Sequence, residues 1–258
     1  READGIALIA GFCLICRMAT VAQFFFEADL VKGETVQLNE QAARHIVQVL
    51  RKQTGDIIRL SNGKGYIADA TIAETSKKRC TVSIDGVLFF AERRPALHLA
   101  VAFTKNTSRN EWLLEKATEL GVKSIIPLST TRTEKESIRY QRARGILVSA
   151  MLQSQATYLP ELSSKPVALK ELLNMHASVP QKLLAHCIDG KEKETLHKAM
   201  KPGVDTIVLI GPEGDFTAEE VELCEGNGFV AISMGTQRLR TETAAMAVCA
   251  YFNMLNND

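Results

Sequence analysis

Apolar positions follow two regimes along this chain, and the change falls near Glu92-Arg93-Arg94-Pro95. Up to about Phe90 they come in short, strand-length runs. Residues 35–38 alternate, Gly55-Asp56 turns into residues 57–60, and Asn62-Gly63 is a hairpin signal ahead of Tyr66-Ile67-Ala68. Residues 81–84 make another strand. One segment differs: Ala42, Ile46, Val49 and Leu50 recur at helical spacing behind Asn39, a good N-cap, so a helix is predicted over 39–51. Short strands around one helix suggest a small β-barrel. After Pro95 strands and helices alternate. Residues 97–103, 123–128, 183–187, 206–210 and 230–234 read as strands. Ser108-x-x-Glu111 reads as a capping box for a helix with Leu113, Leu114, Ala117 and Leu120 on its apolar face, stopped by Gly121. Residues 139–155 form another helix, with Ile146, Leu147, Ala150 and Met151 inward, and Thr217-x-x-Glu220 caps a third that ends near Gly228. Residues 241–255 are apolar on nearly every face, which predicts burial all round. Alternating strands and helices place the second part in the α/β class with a mostly parallel sheet.

Composition narrows the reading without deciding it. At 258 residues the chain holds two domains or one large one, and 46% hydrophobic with 24% charged residues is ordinary for a globular protein. A net charge of +1 announces no nucleic-acid partner, so any such argument rests on local charge. Of six cysteines only Cys13 and Cys16 are close, with no second pair to complete a zinc site. Scattered cysteines read as reduced core residues of a cytoplasmic protein, and no metal is expected. Residues 5–16 are apolar but too short to span a bilayer; their flank is not the basic one of a secretory signal, although so short an apolar run keeps that reading open. Residues 1–18 are taken as an extension outside the fold, ahead of domains at 19–92 and 95–258. No membrane segment is expected.

The chemistry gathers in the last third. Ile207 to Ile210 runs into Gly211-Pro212-Glu213-Gly214-Asp215-Phe216, and Ile232 leads into Ser233-Met234-Gly235 and then Leu239-Arg240-Thr241-Glu242-Thr243-Ala244. Two strands thus end in glycine-bearing turns, where open α/β sheets bind ligands. Neither turn is the G-x-G-x-x-G or Walker pattern, which disfavours phosphate cradling. Alone, a strand ending in Gly-Pro is only a turn. The ordered set, with Glu115 to Val122, Pro127-Leu128 and Ala150-x-x-Gln153-Ser154, resembles the SPOUT class of methyltransferases, and within it the family that methylates N3 of a uridine in bacterial small-subunit rRNA. The resemblance covers about residues 23–256.

The resemblance implies a C-terminal domain threaded into a deep trefoil knot, behind a PUA-like RNA-binding barrel, in a homodimer packed through the last helix. It implies S-adenosylmethionine between one wall at Ile210, Gly211, Pro212, Glu213 and Gly214 and another at Ile232, Ser233, Met234, Gly235, Leu239 and Arg240. Ala185 and His186 are a third contact. Arg240 matches the motif arginine, and a guanidinium beside uracil would stabilise charge on its carbonyl oxygens. Glu242 reads either as a proton acceptor or as a carboxylate that favours the helix dipole. Glu213 has a similar bland reading as a turn residue. For 16S rRNA in the small subunit, Arg44, Arg51 and Lys52 on the barrel, and Lys105, Arg109, Arg132 and Arg139 beyond it, are candidate contacts, against the bland reading of solvated charge. Between Thr130 and Gly145 five basic residues face two acidic ones. Departures from the family pattern are Asp215 where glycine is commoner, Gln155 where arginine is, and Arg238 for an aliphatic residue. Alternatives are another RNA target, a ribose 2′-hydroxyl or a tRNA guanine, and an RNA-binding or assembly factor without turnover.

Overall fold

A computed structural model describes residues 21–76, 78–134, 137–188 and 192–256, so the expectation for residues 1–18 lies outside the described residues. The chain divides into two compact units, Arg1–Ala91 and Glu92–Asp258.

The first unit contains β1 (Gln23–Phe25), β2 (Thr35–Gln37), α1 (Glu40–Arg44) continued by a π turn (His45–Val49), β3 (Ile57–Ser61), β4 (Tyr66–Thr75) and β5 (Cys80–Phe89). They pair as a mixed sheet in the order β1-β3-β4-β5-β2, with β1 parallel to β3 and the other pairs antiparallel. The Asn62-Gly63 corner joins β3 to β4, and Asn62 Oδ1 accepts from the amides of Lys64 and Tyr66. Asn39 caps α1 through Ala42 N at 2.8 Å. The predicted helix is shorter than its apolar stripe, because the α segment gives way to the π turn after Arg44. Ile46, Ile58, Leu60, Ile72, Val82 and Ile84 form this unit's core.

The second unit runs β6 (Leu97–Val101), α2 (Thr107–Glu119), β7 (Ser124–Ser129), α3 (Tyr140–Ser154), β8 (Glu161–Leu162), β9 (Val167–Ala168), α4 (Leu169–Met175), β10 (Gln181–Ala185), β11 (Glu194–Thr195), α5 (Leu196–Ala199), β12 (Thr206–Ile210), α6 (Ala218–Gly226), β13 (Val230–Ser233) and α7 (Thr241–Leu255). All strands pair in parallel in the order β11-β13-β10-β12-β6-β7-β8, with β9 added beside β7. The alternation of side chains along the strands divides the core in two. Leu99, Val101, Leu183, Val208, Ile210 and Ile232 meet α2, α3 and α7 on one face. Ala100, Leu184, Ile207 and Leu209 meet α4 and α6 on the other. β12 is buried at all five positions between β10 and β6, as a strand covered on both faces must be.

Two expectations need correction. Ser108 does not cap α2; the N-cap is Asn106, whose Oδ1 accepts from Arg109 N at 3.3 Å, and Glu111 instead binds Arg142. Cys187 is not a core residue: it is exposed, while Cys80, Cys224 and Cys249 are buried. Among the described residues no helix is long and apolar enough to cross a membrane, and no group of His, Cys, Asp or Glu could hold a metal ion.

Candidate active site

Parallel strands deliver their carboxyl ends to one edge of the sheet. Here β10, β12 and β13 open together onto a cavity of ≈ 790 Å³. Its floor carries Ala185 and His186 from β10 and Ile210 to Glu213 from β12, and its opposite wall carries Ile232 to Gly235 and Leu239 to Ala244. The two corners are tied to each other. Thr241 Oγ1 donates to the Gly211 carbonyl at 3.1 Å in a buried contact, and Arg238 Nη2 donates to the Glu213 carbonyl at 3.1 Å. Positions 25 and 30 residues apart in sequence therefore return to one place in space.

The glycines serve the protein's own packing as much as any ligand. A Cβ on Gly211 would lie 2.9 Å from the Phe216 ring, which is fully buried. At Gly214 a Cβ would press on the Arg132 side chain at 3.3 Å. Gly235 differs: its φ is +123°, a conformation other residues rarely adopt, and open space lies where a Cβ would be.

Of the residues expected at the cofactor, Gly214 alone stands outside the lining. Its carbonyl faces Arg132, whose Nη1 donates to it at 2.7 Å. Arg240 lines the cavity and is exposed, and its guanidinium makes no hydrogen bond or ion pair among the described residues. Glu242 does not line it. The carboxylate is nine-tenths buried on the side of α7 that meets α2, with Oε1 3.4 Å from Arg109 Nε and Oε2 without a hydrogen-bond partner. Cys187, Lys193, Asp215, Thr236, Gln237 and Arg238 also line the cavity, and sequence reasoning did not assign them to it. Asp215 and Arg238 had been marked only as departures from a pattern.

The RNA methyltransferase domain model matches residues 92–253, and the RNA methyltransferase PUA domain model matches residues 38–85. The chain belongs to the RNA methyltransferase family. It is 27% identical to the ribosomal RNA small subunit methyltransferase E of Rickettsia conorii, over 91% of this chain and 96% of that one. A crystal structure of a probable rRNA-methyltransferase from Porphyromonas gingivalis is 32% identical, with a TM-score of 0.84 over 92% of this chain and 98% of the other. The ribosomal RNA small subunit methyltransferase E of Neisseria gonorrhoeae, solved bound to S-adenosyl methionine, is 28% identical with a TM-score of 0.79, covering 92% and 98%.

The cations expected at RNA divide by whether they are already engaged. In the PUA unit Arg44 is held by Glu40, whereas Arg51 and Lys52 have no side-chain partner among the described residues. In the methyltransferase unit Lys105 pairs with Glu134 at 3.0 Å and Arg109 with Glu242. Arg132 is spent on the carbonyls of Gly214 and, at 3.4 Å, Phe216. Arg139 is exposed at the start of α3, and its guanidinium has no hydrogen bond or salt bridge among the described residues.

Proposed function

We propose that this member of the RNA methyltransferase family uses S-adenosylmethionine to methylate N3 of a uridine in 16S rRNA of the small ribosomal subunit, in the cytoplasm. The observation that carries this is the joining of the two glycine-bearing corners by Thr241 and Arg238 around one cavity. Its contents fit the cofactor. Ala185, Ile210, Ile232, Met234, Leu239 and Ala244 offer an apolar bed, and the open space over Gly235 leaves the backbone accessible to a ligand. When bound, S-adenosylmethionine supplies a methyl group already activated by its sulfonium.

Uracil N3 is a poor nucleophile until it loses its proton. The exposed, unpaired Arg240 guanidinium stands at the cavity to stabilise the charge that then spreads to the uracil oxygens. Its place as the N-cap residue of α7 fixes its backbone, while Thr241 anchors the next residue to Gly211. For Glu242 the geometry favours the second of its two readings. It opens the first turn of α7, where a carboxylate suits the helix dipole, and it holds Arg109.

The trefoil knot, the closed barrel and the homodimer belong to the same proposal. The return of the chain after β13 to the Gly211 carbonyl, and the packing of α7 against β6 and β12, support a threaded connection. Met254 at 76% and Trp112 at 45% exposure, on α7 and α2, support a self-association face there. The test is transfer of a labelled methyl group to small-subunit particles that lack the modification, followed by nucleoside analysis. Label in 3-methyluridine is expected. Label on a ribose or a guanine moves the enzyme to another target, and RNA binding without transfer makes it a binding factor.

A further inference from the structure

Three ties hold the turn after β12: Arg238 at Glu213, Arg132 at Gly214, and a third made by Asp215. Asp215 has φ 64°, in the left-handed region that costs most residues energy and that aspartate tolerates better than most. Its carboxylate reaches across to the next strand. Oδ2 accepts from the Cys187 amide at 2.7 Å, and Oδ1 accepts from the Phe216 amide at 2.9 Å. Cys187 lies two residues past the end of β10, and Phe216 is the fully buried ring beneath Gly211. Both Cys187 and Asp215 line the cavity. A carboxylate accepting two backbone amides makes charge-assisted bonds, stronger than neutral ones.

We propose that Asp215 is a positioning residue for the cofactor: its carboxylate pins the exit of β10 to the exit of β12 and so fixes the floor of the cavity. The left-handed backbone is what lets it do this, since it turns the side chain back toward Cys187 while the chain goes on to bury Phe216. This rests on the reading of the cavity as the S-adenosylmethionine site.

Three variants separate the bridge from the backbone. D215G removes the carboxylate and suits φ 64° without strain. D215A removes it and keeps the strain, and D215N keeps one acceptor oxygen. Affinity for S-adenosylmethionine, measured by calorimetry, is expected to fall about tenfold in D215G, the size of one lost hydrogen bond to a charged group. D215A is expected to lose at least as much, and D215N to fall between D215G and the wild type. In turnover the KM for S-adenosylmethionine rises while kcat is largely kept. Hydrogen exchange of the Cys187 amide, followed without cofactor, is expected to be faster in D215G. Wild-type affinity in D215G, or unchanged exchange at Cys187, overturns the proposal. If the wild-type protein binds no S-adenosylmethionine, the functional reading falls, and the exchange measurement still decides the bridge.

Discussion

Single residues in the cavity divide into those that shape it and those left over for chemistry. Gly211 has no room for a Cβ against Phe216 and Gly214 only a tight fit against Arg132, so their small size answers to the protein itself. Arg238 and Arg132 hold backbone carbonyls, and Arg109 holds Glu242. Arg240 is the exposed guanidinium in the lining that none of these contacts engages. On the proposed function, the cost of replacing it falls on the transition state. R240A is expected to lower kcat by about 10²- to 10³-fold, the usual scale for losing a group that stabilises developing charge. Its affinity for S-adenosylmethionine should stay close to wild type. E242Q is the contrasting variant. It removes the charge without changing the shape and should retain transfer within a few-fold. Loss of transfer in E242Q with cofactor binding intact would make Glu242 the proton acceptor and sink the structural reading. Separating the two needed coordinates, because Arg240 lines the cavity while Glu242, two residues on, meets Arg109 of α2.

At the scale of elements, what the sequence made legible was whatever buried a periodic face. The all-apolar run at β12 and the stripes of α2 and α3 are read directly, because burial selects the residue types. By contrast α7, apolar on nearly every face in sequence, is buried on one side and leaves Met254 76% exposed. The two-residue strands β8, β9 and β11 carry no period to read. β4 and β5 run to ten residues each, beyond their apolar cores, because polar cross-strand pairs such as Thr71 with Asp85 extend the ladder on the exposed face. Helix starts illustrate the ambiguity best. Thr217-x-x-Glu220 is a full capping box, but Ser108-x-x-Glu111 has the same spelling and is not one, because Asn106 takes the cap two residues earlier. T217A is thus expected to destabilise the protein by about 1 kcal/mol in urea denaturation, and S108A by almost nothing. An equal cost for both would put the capping assignment in error. The sheet also holds a pH-sensitive pair. His98 of β6 shares its Nδ1 with Ser124 Oγ of β7 at 2.7 Å and stacks near His176 at 5.1 Å. Burial, and then the neighbouring His176 and Lys123, lower its pKa from 6.5 to about 4. Between those values the unfolded chain binds a proton that the folded chain refuses, so the contribution of His98 is present above about pH 6.5 and lost as the pH falls toward 4. H98N should flatten the decline in denaturation midpoint over that window. A slope equal to that of the wild type would mean the titration lies elsewhere.

For the whole molecule, a net charge of +1 conceals the RNA-binding question, since affinity depends on which cations are uncommitted. The sequence offers seven basic residues as candidate contacts, Arg51 especially. Apart from Arg44 with Glu40 one turn before it, their pairing is tertiary: Glu134 reaches Lys105 and Glu242 reaches Arg109 across long stretches of chain, and no spacing rule finds such partners. The threading proposed for the second unit would be hidden for the same reason, because a connection that passes through a loop leaves no local pattern. Among the described residues, Arg51 and Lys52 in the PUA unit and Arg139 in the methyltransferase unit have no side-chain partners, while Lys105 is neutralised by Glu134. Contacts to phosphate release counterions, so each one steepens the fall of affinity with salt by about 0.7 in the log–log slope for single-stranded RNA. R51A and R139A are each expected to weaken binding to a small-subunit rRNA fragment and to reduce the salt slope by roughly that amount. K105A serves as the paired comparison and should leave the slope unchanged, since its ammonium already has a carboxylate. Titrations at several salt concentrations decide between these. Equal slopes for all three variants would mean that pairing in the free protein does not predict which cations meet the RNA, and that the Lys105–Glu134 bridge opens on binding.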